Sequence, residues 1–431
     1  MTKQEIYQSK LITIEEALSK IKSGDVISLA NYGNEPAALL SQLHTIADRV
    51  ENVTVWMQLP TQDYPFFSDN SLKGRIDMRS VFYGGGLREA HKVQRVTLVP
   101  GNLSSAAETQ IGSLRPTVFM AAVTPMDQHG FVRMSCSQQT EQEMIKAADL
   151  VIFEVNPNLP LTSGTVEVPV EKADYYVEVD YPVTTVKEIP ITDVERAIAK
   201  NVASLVQDGD CIQLGIGGMP NAVGEALMDK KDLGIHTEML TSVMGRLMEA
   251  GVVNNSRKNF NPGKTIAAFT WGNNELYDYI NLNPMVEIRP ARYVNDPFVI
   301  AQNDNLVSIN TALQVDLTGQ VCSESIGYRQ YSGSGGAFDF AYGAYRSKGG
   351  RGIIALSSTA KGGTISRIQP VLSLGSVVTI SRNIVDYVIT EYGIAKLRNE
   401  PIRNRVANLI AIAHPDFREE LQKQADEMMI W

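Results

Sequence analysis

The chain repeats itself. Ser23-Gly-Asp-Val-Ile-Ser-Leu29 returns as Asp208-Gly-Asp-Cys-Ile-Gln-Leu214, and Asp127-Gln-His-Gly-Phe-Val132 returns as Asp316-Leu-Thr-Gly-Gln-Val321. Asp149-Leu-Val-Ile-Phe-Glu154 returns as Asp386-Tyr-Val-Ile-Thr-Glu391. The pairs keep one order in both halves, and the spacing widens mainly before the third, which marks an insertion late in the second copy. A chain built this way folds into two related units. Positions where the copies differ are where chemistry belonging to only one half is expected.

Each half opens alike. Thr13-Ile-Glu-Glu16 and Thr192-Asp-Val-Glu195 are capping boxes, in which a threonine and a glutamate satisfy orphan amides of a helix start. Apolar residues then recur at helical spacing, at Ile14, Ala17, Leu18 and Ile21, and from Val194 to Val206. Gly24-Asp25 and Gly209-Asp210 turn into the strands Val26–Leu29 and Cys211–Leu214. Further strands are expected at Val53–Met57, Leu150–Val155, Ile235–Leu240, Gly352–Leu356, Val377–Ser381 and Tyr387–Thr390. Their unbroken Val/Ile/Leu runs suit strands covered on both faces, hence mostly parallel α/β sheets. The reading is two tandem, related, open α/β domains, residues 1–188 and 189–431, with Asn156–Ile191 as an extended bridge. The Gly-rich stretch Gly327–Gly352 has no counterpart in the first half.

A chain of 431 residues with 44% hydrophobic and 20% charged residues is ordinary for a globular protein. Its net charge of −9 argues against nucleic acid as a main partner. No signal peptide or bilayer-length apolar run is visible, so no membrane partner and a cytoplasmic location are expected. Cys136, Cys211 and Cys322 are scattered without CxxC pairing, and the five histidines form no HxxxH pattern, so no metal site is expected.

Four segments are candidates for chemistry. Gln213-Leu-Gly-Ile-Gly-Gly-Met-Pro-Asn-Ala222 joins a strand to a helix, where glycines let amides approach an anion. It is not the dinucleotide fingerprint, because Pro220 stands where the last glycine belongs. A tight turn without ligand is the plainer reading. The first-half copy, Leu29-Ala-Asn-Tyr-Gly33, has lost most of these glycines, and that difference favours a ligand. Tyr331-Ser-Gly-Ser-Gly-Gly-Ala-Phe-Asp-Phe340 can offer amides to an oxyanion, or be a surface loop. Lys361, in Ser358-Thr-Ala-Lys-Gly-Gly-Thr-Ile-Ser-Arg367, suits a phosphate, although a lone lysine is usually just solvated. Last come the strand-end carboxylates Glu238, Glu324 and Glu391. Most glutamates are surface charges, and Glu391 is matched by Glu154 in the repeat. Glu238, in Ile235-His-Thr-Glu-Met-Leu240, is matched instead by Trp56 of Val53-Thr-Val-Trp-Met57, so it is an unshared carboxylate near the unshared glycine loop.

In this order, QLGIGGMPNAV, GIHTEM, SGSGGAFDF, STAKGGTISR, VDYVITEYGIAKL and AHPDFREEL resemble the acetyl-CoA hydrolase/transferase family. The resemblance spans nearly the whole chain and is strongest over 190–420. It implies the CoA-transferase fold of two related α/β domains. It also implies an acyl-CoA:carboxylate CoA-transferase working through a glutamyl-CoA thioester on Glu238. CoA contacts are implied at Gln213, Leu214, Gly215, Ile216, Gly217, Leu313, Gly336 and Lys361. Acyl-CoA and small carboxylic acids would be the partners, with coenzyme A as substrate and no permanently bound cofactor. A homo-oligomer, dimer or tetramer, is implied likewise. Butyrate or 4-hydroxybutyrate with acetate is the first expectation, and succinate or itaconate the alternative. An acyl-CoA hydrolase and a non-catalytic CoA-binding protein are the rival functions. Thr241-Ser242-Val243 replaces the family's small-Asp-Gly turn, and Thr162–Val166 and Gln58–Phe66 are also atypical, which leaves the acid's identity open.

Overall fold

The computed structural model describes residues 1–430. They form two compact units. Unit 1 is Met1–Val186 with Ala267–Tyr293, and unit 2 is Lys187–Ile266 with Val294 onward.

Unit 1 contains β1 (Val26–Leu29), β2 (Val53–Gln58), β3 (Ile76–Phe82), β4 (Val96–Leu98), β5 (Val118–Val123), β6 (Phe131–Arg133), β7 (Leu150–Val155), β8 (Ser163–Gly164), β9 (Glu167–Pro169) and β10 (Tyr175–Glu178). Seven of these make one sheet in the order β10-β7-β5-β1-β2-β3-β4, with every pairing parallel. β1 and β5 are buried at every residue, as their unbroken apolar runs require. Tyr175–Glu178, expected to bridge the halves, is instead an edge strand of this sheet. Its two central residues, Tyr176 and Val177, are buried on opposite faces, and that burial draws it in.

Unit 2 begins with β11 (Cys211–Leu214) and β12 (Gly234–Leu240). The chain passes into unit 1 within β13 (Thr265–Thr270), and there β14 (Val286–Ile288) pairs in parallel with β8. Back in unit 2 come β15 (Leu306–Thr311), β16 (Gln314–Asp316), β17 (Val321–Cys322) and the hairpin β18 (Ser325–Ile326) and β19 (Arg329–Gln330). They are followed by β20 (Arg351–Ala355), the hairpin β21 (Thr359–Ala360) and β22 (Ile365–Ser366), β23 (Ile368–Gln369), β24 (Tyr387–Thr390) and β25 (Gly393–Lys396). Within unit 2 the main sheet runs β25-β24-β20-β15-β11-β12, parallel except for the edge pair β24–β25.

Both capping boxes form, starting the helices Ile14–Ser19 and Asp193–Ala203. The repeat is visible in topology: β1 lies between β2 and β5 as β11 lies between β12 and β15. In each sheet the strand order reverses beside the first strand, where open α/β sheets bind ligands past the carboxyl ends of their strands. One expected strand is absent. Val377–Ser381 makes only an isolated bridge, Ile380 to Val321. The Thr379 and Ile380 amides share the one Val321 carbonyl, the Val377 amide donates to Ser325 Oγ at 2.9 Å, and Val377 and Val378 stay exposed.

Candidate active site

Glu238 occupies the carboxyl-terminal half of β12, where its neighbours His236, Thr237, Met239 and Leu240 are buried. The residue is only partly exposed, and two donors converge on its carboxylate. Asn295 Nδ2 donates to Glu238 Oε2 at 2.9 Å, and the Gly336 backbone amide donates to the same group. Burial pushes the Glu238 carboxyl up to about 7, helped by the negative Asp339, while the two donors pull it back. A carboxyl tuned to neutrality, at a strand end and held by fixed donors, has the character of a reacting group.

At Gly336 the carboxylate's present position leaves no room for a side chain. A Cβ there would stand 1.9 Å from Glu238 Oε2 and 2.2 Å from Asn295 Nδ2. Gly336 also caps the helix Ala337–Arg346, so the carboxylate meets the positive end of a ten-residue helix. Asp339, fully buried in that helix's first turn, opposes this effect.

The glycine loop follows β11, the strand beside β12. Ile212 pairs with Ile235, and the Thr237 hydroxyl lies 3.5 Å from the Leu214 carbonyl. Gly215, Ile216 and Gly217 therefore leave the sheet next to the strand that carries Glu238. Gly217 has φ +114°, a backbone state L residues avoid, and it starts the helix Gly218–Ala226. Ile216 is 38% exposed, so the loop's apolar side chain faces solvent. Gln213 is already satisfied: its Oε1 accepts from Ser308 Oγ at 2.8 Å and from Asn310 Nδ2 at 3.2 Å, tying β11 to β15. Leu313 follows β15, on the other side of β11, with its amide on the Cys322 carbonyl at 2.9 Å. Lys361 is exposed at the tip of the β21–β22 hairpin with φ +48°.

The structure thus brings Glu238 and Gly336 into contact, and places 213–217 and 313 at the ends of neighbouring strands. Lys361 stands on a separate hairpin. The other glutamates serve the scaffold. Glu391 accepts from the Ser358 amide at 2.9 Å and hydroxyl at 2.6 Å, and Glu324 accepts from Thr379 Oγ1 at 2.9 Å. Thr241 begins the helix Ser242–Glu249, and Val243 packs where any side chain on Gly224 would have to go. Sequence reasoning missed Asn295 and Asp339. Asn295 lies in a turn ahead of Pro297, and Asp339 inside the motif already singled out, but no local pattern shows that either faces Glu238.

Among the described residues, no helix is long and apolar enough to cross a membrane, and no group of three or more His, Cys, Asp or Glu is placed to hold a metal.

Comparison with known proteins adds three findings. The profile of the acetyl-CoA hydrolase/transferase N-terminal domain matches residues 1–188, and that of the C-terminal domain matches residues 272–425. A succinyl-CoA:cyclohexane-1-carboxylate CoA transferase of Geobacter metallireducens is 44% identical, covering 98% of this chain and 96% of its own. A 4-hydroxybutyrate coenzyme A transferase of Clostridium kluyveri is 42% identical, with 98% of each chain covered. The crystal structure of RipA from Yersinia pestis superposes with a TM-score of 0.95 at 36% identity, over 100% of both chains.

Proposed function

As this chain belongs to the acetyl-CoA hydrolase/transferase family, we propose that it is an acyl-CoA:carboxylate CoA-transferase whose nucleophile is Glu238. The observation that carries the assignment of Glu238 is its carboxyl, raised to about 7 and gripped by Asn295 and Gly336. Relatives of nearly full length named as CoA transferases support the activity.

Glu238 as carboxylate attacks the carbonyl carbon of the acyl-CoA thioester. The C–S bond breaks, leaving a mixed anhydride and the CoA thiolate. The thiolate then attacks Glu238 Cδ, the anhydride C–O bond breaks, and the free acid departs from a glutamyl-CoA thioester. The acceptor carboxylate runs the sequence in reverse. Attack on Cδ drives negative charge onto a Glu238 oxygen. Asn295 already donates to Oε2 and the Gly336 amide to the same carboxylate, so they are placed to stabilise that oxyanion without rearranging. Because thioester energy is conserved, no ATP is consumed.

The CoA portion is assigned to Gln213, Leu214, Gly215, Ile216, Gly217, Leu313, Gly336 and Lys361. Supporting this, the 215–217 loop and Leu313 flank one strand end, Gly217 heads a nine-residue helix that favours anions, and Lys361 is an exposed cation. Gln213 contributes by locking β11 to β15 through Ser308 and Asn310. The reading includes a short-chain acid as acyl group, with butyrate or 4-hydroxybutyrate and acetate first and succinate or itaconate next. It further includes a cytoplasmic homo-oligomer, on the strength of the family alone.

The test is intact-protein mass spectrometry after mixing the enzyme with acyl-CoAs and no acceptor, followed by peptide mapping. A CoA-sized adduct on Glu238 is expected, and the fastest-loading acyl-CoA names the substrate. Hydrolysis of the acyl-CoA without an adduct would make the protein a thioesterase. An intact acyl-CoA that binds without an adduct would make it a CoA-binding protein.

A further inference from the structure

Unit 1 holds a pair of buried carboxyl groups for which the transfer reaction has no use. Glu35, just after β1, is 4% exposed, and Glu154, on β7, is 0% exposed. Glu35 Oε1 accepts from Thr61 Oγ1 at 2.8 Å and from the Tyr64 hydroxyl, while its Oε2 accepts from the Thr61 amide at 3.1 Å. Glu154 Oε1 accepts from the Leu39 amide at 2.6 Å; its Oε2 accepts from the Tyr181 hydroxyl at 2.5 Å and the Ala38 amide at 3.4 Å. Tyr181 joins the two, since its oxygen also lies 3.3 Å from the Glu35 carbonyl oxygen.

The strongest influences on the two groups are burial and neutral donors. The partners of Glu35 are Tyr64 and Thr61, and those of Glu154 are Tyr181, two amides and the charge of Glu35 itself. Titratable groups on the surrounding segments are turned elsewhere. Asp63 lies against Gly86, Asp180 takes Asn158 Nδ2 at 2.8 Å, and Glu178 takes the Tyr7 hydroxyl at 2.9 Å. The helix Ala37–Gln42 carries no charge, and His44 stands beyond its end. Two desolvated carboxylates held by neutral donors are costly to ionise together, and one proton between them removes most of that cost.

The donors decide which group keeps the proton. Amides of the Ala37–Gln42 helix are fixed donors and demand an anion at Glu154. Glu35 takes one fixed amide, from Thr61 on Oε2, but its Oε1 meets only the Thr61 and Tyr64 hydroxyls, which can rotate, so a proton on Oε1 is accommodated; each Glu154 oxygen faces a backbone amide. We propose that Glu35 holds a proton on behalf of the pair, and that its loss frees the Leu59–Phe67 segment, making the cluster a proton-operated latch in unit 1. On deprotonation the Glu35 O–H bond breaks and the proton passes to water. Glu35 is left as an anion facing Glu154. Turning the carboxylate towards water relieves the repulsion and surrenders the clamps on Thr61 and Tyr64.

The segment is primed for release, because Leu59 is held at φ +36°, a strained state for leucine. Burial lifts both carboxyls to about 7, which puts the change at neutral pH. Since the folded value of Glu35 lies above the ordinary 4.5, the latched state gains most below that value and loses its advantage as pH rises through about 7.

Hydrogen–deuterium exchange on the full chain tests this, from about pH 5.5 to about pH 8.5 with intrinsic rates corrected. In the wild type, protection over 59–67 is expected to fall by up to about tenfold per pH unit above neutrality, and to stay level in Glu35→Gln. Level protection in the wild type, or a Glu35→Gln variant that follows it, overturns the proposal. Should Glu35→Gln not fold, infrared spectra decide. Because Glu238 is raised to the same range, the comparison is with Glu238→Gln: a buried protonated carboxyl band that survives in that variant and bleaches across neutrality supports the latch, and its absence there at mildly acidic pH refutes it.

Discussion

Asn295 gives its amide nitrogen to Glu238 Oε2 at 2.9 Å, while its own Oδ1 is buried with no partner. Only one end of this side chain is therefore committed. The geometry makes Asn295 a candidate for positioning Glu238 and for stabilising charge on it. An open buried acceptor is costly in a folded chain and is usually explained by function.

Asn295→Ala should lower kcat by ~10²–10³, the typical cost of one oxyanion donor. It should also move the acid limb of the pH–rate profile. Glu238 must be ionised to attack, so activity rises with pH through about 7, and losing a donor to the charged form shifts that rise upward. Asp339→Asn should shift it downward by removing a nearby negative charge. Rate profiles of the three proteins check both directions. A lost kcat with an unmoved limb would make Asn295 a scaffold residue.

Glu238→Gln should abolish transfer and yet stabilise the chain at alkaline pH. The folded value of about 7 lies above the ordinary 4.5, so the carboxyl costs stability increasingly as pH rises between them and fully above about 7. Glutamine removes that cost. The gain at about pH 8 is on the order of 1–3 kcal/mol, reduced because the residue is partly solvated, and it vanishes below about pH 4. Urea melts of both proteins at the two pH values measure it.

Gly336→Ala should separate activity from stability. The new methyl must displace the Glu238 carboxylate and the Asn295 amide, and both are ends of flexible side chains. Folding should lose no more than about 1–3 kcal/mol. Transfer should fall at least ~10²-fold, because a misplaced nucleophile forfeits its alignment. Unchanged kcat with a normal melting curve would show that the contact is irrelevant to catalysis.

Lys361→Gln should raise KM for acyl-CoA about three- to tenfold and leave kcat alone, as expected when uniform binding is lost. Added salt should shrink the difference, because an exposed charge is screened. A changed kcat at saturating acyl-CoA would place Lys361 nearer the chemistry than its hairpin suggests.

Much of the architecture was legible in the repeat. It located β1 and β11, both capping boxes formed, and the match of Trp56 with Glu238 fell on β2 and β12, strands with equivalent places in their sheets. Trp56 is 1% exposed and donates its indole N–H to the Leu114 carbonyl at 3.3 Å, so the first copy fills with core what the second leaves as a carboxylate. Asn295 and Asp339 could not be read, because what singles them out is proximity across 57 residues of chain in one case and the facing of a helix turn in the other. Val377–Ser381 misled because its Val-Val-Thr-Ile run has strand propensity, but it meets a strand only at Val321, and its Val377 amide is taken by Ser325 Oγ. Glu35 carried no signal at all, since a buried acid after a strand has the same letters around it as an exposed one.

The excursion of the chain into unit 1 between Ile266 and Val294 has a consequence for biosynthesis. Glu238 leaves the ribosome well before Asn295, and in between the nascent chain must deliver 267–293 to the earlier unit. A cut at the repeat boundary would deprive unit 1 of that segment and would not yield two self-sufficient fragments. The sequence repeat is therefore no guide to where the polypeptide can be divided, and Glu238 acquires its Asn295 donor only once the detour has been synthesised.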